Sequence, residues 1–330
     1  MRESTNGGRK AMGMKSKNTV IGAGAAIAVA GALVWNAALA TAQAPVPPPA
    51  VNAPAAVPPT STATLNKTFN AFHANQGVAV DAKYFYALDN RIITKYDRNS
   101  GMPVLQFVSP EGGPIIHMDS GTVVGHRLYV ATSDYDNAPE ESSIEIFDTR
   151  TMKHVGTHSF GRFIGSLTWL DRHDGRWWAG FANYDEVPDG QTQPYGGTDN
   201  TEIVTMNDDF QVQQAWGVPR EILDRFRPMS NSGGSWGPDN RLWIIGHDLD
   251  EAYVMEMPDA GSDLKWIATV HLPGVEGQAI AWDRTSSRKP TLWAIKRSTS
   301  QVFAFTVDYA SIKEPAPTAY RINGPGHFVQ

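Results

Sequence analysis

A short pattern occurs five times along the chain: small or polar residues, an apolar strand, a turn at Asp or Gly, then an aromatic strand. The copies are NQGVAVDAKYFYAL, DSGTVVGHRLYVA, IGSLTWLDRHDGRWWAG, SGGSWGPDNRLWIIG and GQAIAWDRTSSRKPTLWAI. Their turn residues Asp81, Gly125, Asp171, Asp239 and Asp283 stand 44, 46, 68 and 44 positions apart. About 45 residues is the length of one four-stranded propeller blade. The long interval contains 183–200, expected as an inserted loop, and PREILDRFRP at 219–228, expected as a short helix. Further strand patterns follow each copy, as in RIITKYDRNSG and SSIEIFDTRTM, where the chain runs into an Asp that turns it. The expected fold is all-β, a five-bladed β-propeller of four-stranded antiparallel blades, with six blades or a β-sandwich as the alternatives. Five blades close only if one takes strands from both ends of the chain, and either 66–72 or 318–322 can supply the closing strand.

The N-terminus reads as a leader. Five basic residues, Arg2, Arg9, Lys10, Lys15 and Lys17, precede an uncharged stretch at 19–35, and Ala38, Ala40 and Ala42 offer cleavage after Ala40 or Ala42. The stretch is rich in Ala and Gly and falls short of the roughly 20 residues of a spanning helix. Residues 1–42 are therefore expected to be a signal peptide, 43–64 a disordered Pro/Ala-rich spacer, and 65–330 the propeller domain. The expected location is periplasmic or secreted, without membrane attachment after cleavage. The chain has no cysteine, so no disulfide or lipid-bearing cysteine is available and a sizeable core must hold it together. The formal charge of −6 becomes −10 when the leader's five basic residues and Glu3 are removed, which argues against nucleic acid as a partner.

In a propeller the residues just before each innermost strand converge at one mouth of the ring, although they are far apart in sequence. The convergence brings together His73, Asn75 and Gln76; His117, Asp119 and Ser120; Gly165 and Ser166; Asn231, Ser232 and Ser235; and Glu276 and Gln278. Asp119 and Glu276 are candidate acid/base carboxylates, since burial of an acid near the axis perturbs its pKa. His73 and His117 are candidate proton carriers. The remaining side chains are candidate ligand contacts, with Gly165, Ser166 and Ser232 also fitting a purely packing role. Lys296 and Arg297 either meet an anionic group or lie in a solvated loop. The insert, with Tyr184, Asp185 and Tyr195, suits a lid or a wall for a sugar. Trp169, Trp236 and Trp282 occupy matching places and are expected to wedge between blades. RHDG at 172–175 and GHDLD at 246–250 fit turns.

No phosphate loop, nucleophile elbow or HExxH pattern is present. No cofactor is required by the pattern; calcium through Asp, Asn and backbone oxygens is compatible with it. The partner expected at the mouth is a small polar molecule, a peptide or a saccharide, bound by a monomer. Three functions fit: acid/base chemistry of cyclotransferase or hydrolase type, non-catalytic binding or scaffolding in the cell envelope, and metal-dependent hydrolysis of lactonase type.

The segments NQGVAVDAKYFYALDN, ITKYDRNSG, GTVVGHRLYVAT and IEIFDTRTMKHVGTHSFG resemble the plant and bacterial type of glutamine cyclotransferase, and also the YVTN and NHL-like bacterial propellers. The resemblance covers most of 75–308. It implies a five-bladed propeller and, from the cyclotransferases, cyclisation of N-terminal glutamine. The chain departs from that family at its site: Asp119 and Ser120 stand where a glutamate and glycine are expected, Ile164 replaces a tryptophan, and Gln278 replaces an asparagine. Only Lys296 could correspond to the family's lysine.

Overall fold

The computed structural model describes residues 58–312, apart from 136, 138, 163, 186, 188–191, 193–195 and 286–288. The leader, most of the spacer, Tyr195 and the segment 318–322 lie outside the described residues. The chain folds as a five-bladed β-propeller. The first blade is β3 (Gly77–Val80), β4 (Tyr84–Leu88), β5 (Ile92–Asp97) and β6 (Pro103–Val108). The second is β7 (His117–Val124), β8 (Arg127–Ser133), β9 (Ser142–Asp148) and β10 (His154–Gly161). The third is β11 (Ser166–His173), β12 (Arg176–Ala182), β13 (Glu202–Met206) and β14 (Val212–Gly217). The fourth is β15 (Gly233–Trp236), β16 (Leu242–Ile245), β17 (Glu251–Glu256) and β18 (Lys265–His271). The fifth is β19 (Ile280–Asp283), β20 (Thr291–Lys296), β21 (Gln301–Thr306) and, from the other end of the chain, β2 (Thr64–Asn70).

The closing strand is thus the N-terminal one. Strand β2 pairs antiparallel with β21 from Thr64–Thr306 to Asn70–Gln301. Just before it, β1 (Thr60–Thr62) runs parallel to β18 on the outer edge of the fourth blade. Residues 60–62 and 64, expected to belong to the disordered spacer, lie in strands instead. Thr60, Ser61 and Thr62 are β-branched or small residues that complete a free sheet edge, and Ala63, 4 % exposed, donates to His271 O.

Each blade is buried on both faces, which explains why the strands read as continuous apolar runs. Side chains alternate along a strand, so the two faces of β4 serve two interfaces. Phe85 and Ala87 pack toward the fifth blade with Phe69, Trp293 and Val302. Tyr86 and Leu88 pack toward the second with Met118, Leu128 and Phe147. Three further clusters fill the remaining gaps between blades. Truncating a buried aromatic such as Phe85 to Ala in this setting costs about 3–5 kcal/mol.

The tryptophans lie between blades, as their matching positions implied. Trp169 is fully buried, and a Cβ on Gly234 of the next blade would sit 2.5 Å from its ring. Trp236 lies parallel to His173 with ring centres 4.0 Å apart, and Trp282 meets Trp243 edge-on at 5.2 Å. The expected helix forms as α1 (Arg220–Phe226), burying Ile222, Leu223 and Phe226 between the third and fourth blades. Arg227 ties it to the insert through Asp185 and Asp199.

Candidate functional site

The five inner strands run in the same direction around the axis, so their first residues share one end. A Cβ on Gly77 would collide with Asp119 O, and one on Gly233 would lie 2.7 Å from Gln278 O, which sets adjacent starts side by side. At the opposite end Thr122, Asp171, Ser235 and Trp282 form a continuous hydrogen-bonded chain across four blades. There the axis is filled: a space of only about 10 Å³ remains among Gly121, Thr122, Asp171, Ser235 and Trp282. The entry end is therefore a blind mouth.

Asp119 is the principal group there. Its residue is 5 % exposed, Oδ1 lies 3.4 Å from His117 Nε2, and Oδ2 has no hydrogen-bond partner among the described residues. Burial raises the pKa of its carboxyl; the charge and hydrogen bond of His117, and the more distant charge of His247, oppose the rise. The His117 ring stands 5.4 Å from that of Tyr135, which meets Tyr184 edge-on at 5.2 Å. Tyr184 is half-buried overall, yet its hydroxyl is deep enough for burial, and secondarily Asp119, to raise its pKa. The Ser166 hydroxyl faces it and partly offsets that rise.

Gln76 and Gln278, 6 % and 8 % exposed, complete the mouth. Gln76 donates to Asn90 Oδ1 at 2.7 Å, while Gln76 Oε1 and Gln278 Oε1 accept no hydrogen bond from the described residues. Arg297 reaches His247, its Nη1 lying 2.7 Å from Nε2.

Several expected contacts do different work. His73 is not at the mouth: its backbone turns through φ 75°, and its Nδ1 meets Thr94 Oγ1 at 2.9 Å and Gln106 Nε2 at 3.5 Å, on the outer strands of the first blade. Asn231 is fully buried and spent on structure, accepting from Trp169 Nε1 at 2.6 Å and donating to Gly233 O and Ile245 O. Asn75 bridges Asp89 and Ser300 and so ties the first blade to the fifth. Ser120 lies buried against Gly77, and the Ser232 hydroxyl donates to Ser230 O. Glu276 is no buried acid: hydrogen bonding from Ser298, with Lys296 3.5 Å away, holds its carboxyl below the ordinary glutamate value. Lys296 and Glu276 form an exposed ion pair at the rim.

Two groups at the mouth escaped the sequence reading, His247 and Tyr135. Both lie on loops joining second to third strands, β16–β17 and β8–β9. GHDLD was read there as a turn; the available signal was that these loops arch over the same end as the inner-strand starts.

A groove of about 900 Å³ opens at the other end between the third and fourth blades, beside His173, Trp178, Trp236 and Asp239. Its aromatic faces are already packed on one another, which leaves the mouth as the better site. Among the described residues no three His, Asp or Glu side chains gather as a metal-ligand set, and no helix is long and apolar enough to cross a membrane.

No protein-family model matches the chain, and no curated protein matches it. Among solved structures, similarity extends to the pyrroloquinoline-quinone-bound aldose sugar dehydrogenase of Streptomyces coelicolor, at 13 % identity and TM-score 0.42, covering 78 % of this chain and 84 % of that one. It extends also to a streptogramin B lyase, at 12 % identity and TM-score 0.38, covering 73 % and 69 %. The chain's own five sheets, not these likenesses, are what make it a β-propeller.

Proposed function

We propose that this is an exported propeller enzyme whose mouth binds a small polar molecule and exchanges a proton with it through Asp119. The observation that carries the reading is the buried carboxyl with one oxygen beside His117 and the other without a donor. Burial favours the protonated acid, so Asp119 is suited to give a proton to a leaving atom. His117, against Oδ1, then stabilises the carboxylate that remains. A folded interior tolerates an unpartnered carboxyl oxygen poorly unless a ligand completes it.

The resemblance to glutamine cyclotransferases makes cyclisation of an N-terminal glutaminyl peptide the first reaction to assay. In that reaction the α-amine attacks the side-chain carbonyl carbon and the bond to the amide nitrogen breaks. Asp119 protonates the departing nitrogen, ammonia leaves, and the proton lost by the attacking amine returns to Asp119.

Ammonia release from a glutaminyl peptide by wild type and Asp119→Asn tests the assignment. The expected loss is about 10²–10⁴-fold, the usual worth of a positioned acid or base, without a fall in melting temperature. Unchanged turnover would refute the role of Asp119 and favour a non-catalytic scaffold. Export predicts a mature N-terminus following Ala40 or Ala42, read by mass spectrometry of the protein from its producing cell; retention of the leader would remove that part.

A further inference from the structure

The mouth contains acceptors without donors and a cation without an anion. Asp119 Oδ2, Gln76 Oε1 and Gln278 Oε1 accept nothing from the described residues, and all three side chains belong to residues more than nine-tenths buried. A ligand that satisfies them must bring hydrogen-bond donors.

Arg297 supplies the complementary half. Arginine cannot accept a hydrogen bond, so His247 Nε2 is the acceptor of the 2.7 Å contact, and the ring proton sits on Nδ1, directed at Asp248 Oδ1 2.5 Å away. The chain Asp248–His247–Arg297 orients the guanidinium without neutralising it. Arg98, Arg225, Arg241 and Arg284 each pair with a carboxylate. Among the described residues no acidic side chain pairs with Arg297, and its Nε and Nη2 make no hydrogen bond. The stem lies over Gly277, where a Cβ would stand 3.1 Å from Arg297 Cδ, and this sets it next to Gln278. Gln278 links the two halves, since its orphaned Oε1 belongs to the residue that follows Gly277.

We propose that the ligand is a small zwitterion, a free α-amino acid, with its carboxylate on Arg297 and its ammonium on the oxygens of Asp119, Gln76 and Gln278. This rests on the preceding reading for the location of the site, and makes a free amino acid, not an N-terminal glutaminyl peptide, the preferred occupant. A phosphate would satisfy Arg297 but press further acceptor oxygens against three that already lack donors. A neutral sugar would leave the guanidinium without a counter-charge. The zwitterion answers both needs, and a planar carboxylate fits the guanidinium fork.

The test is titration calorimetry, with thermal shift, of the full protein against the common L-amino acids, their C-terminal amides and their N-acetyl derivatives. One or more amino acids should bind, and amidation or acetylation should each weaken binding about 10- to 100-fold, the range for losing a charged hydrogen-bond pair. Arg297→Gln should bind the acid and the amide equally while still rejecting the acetylated form; Arg297→Lys should recover part of the preference for the acid. Failure of every amino acid to bind, or wild type binding the amide as tightly as the acid, overturns the proposal. If the amide binds equally but Asp119→Asn still abolishes turnover, the zwitterion falls and the acid/base site stands. If the preference for the acid depends on Arg297 but Asp119→Asn turns over normally, the zwitterion stands and the earlier reading falls.

Discussion

Asp119 and Asp171 are carboxylates of neighbouring inner strands, 5 % and 2 % exposed, at opposite ends of the same axis. Asp171 accepts from five donors: Thr122 Oγ1, Arg172 N, Ser235 Oγ, Trp236 N and Arg284 Nη2, at 2.7–3.2 Å. Asp119 has His117 at 3.4 Å and, on its other oxygen, nothing from the described residues. Both ends place an acid in low dielectric, where the cost of the charge must be met by partners. One end meets it internally and knits four blades together; the other leaves it for a ligand. The contrast separates a carboxylate that holds the ring from one that can change its protonation.

The largest effect expected from this contrast is at Asp171. Asp171→Ala strands the Arg284 charge and four other donors, a loss of about 3–5 kcal/mol. At about 2–4 °C per kcal/mol this lowers the melting temperature by roughly 10 °C, readable by calorimetry. A loss below about 1 kcal/mol, the worth of a surface pair, would erase the distinction between the two ends. Gly77→Ala should come next, costing about 1–3 kcal/mol, because the new methyl meets the Asp119 carbonyl across the first blade interface.

Asp119→Asn should act in the opposite direction. The folded pKa lies above the unfolded one, so the acid's contribution is complete below the unfolded value and is lost as pH rises through the folded value. The Asn variant, which never ionises, should therefore melt a few degrees above wild type at neutral pH. The gain should shrink to nothing as pH falls below about 4, the unfolded carboxylate range. A variant that melts lower at neutral pH would show that the ionised carboxylate is satisfied after all. Glu276→Gln should be the mildest, with a melting curve superimposable on wild type, since the rim pair with Lys296 is exposed.

The ring was legible in the sequence because every blade repeats the same demand: an inner strand preceded by small residues, then a strand buried on both faces. The closing strand was less legible. Residues 66–72 and 318–322 carry similar short patterns, and only the pairing of β2 with β21 decides between them. At the mouth, Asp119, Gln76 and Gln278 could be placed by register, since residues that start inner strands share an end. His73 defeated the same logic because positive φ at that residue turns its side chain outward, a choice the local sequence does not announce. Asn231 defeated it because its amide is consumed by Trp169, a contact across a blade boundary 62 residues away in sequence. His247 and Tyr135 depend on how loops arch, and no strand periodicity reports that.

The N-terminal clasp carries a consequence for how the protein is made. Asn66 and Thr306, which hydrogen-bond across β2 and β21, are separated by 240 residues, so β2 leaves the ribosome long before its partner exists. At about 5–20 residues per second the wait is roughly 12–48 s, during which β2 and the growing blades each keep an unpaired edge. The β2–β21 ladder forms only once β21 has been synthesised, so a chain that ends before Gln301 lacks the partner that closes the fifth blade. The clasp therefore makes closure depend on segments from both ends of the propeller.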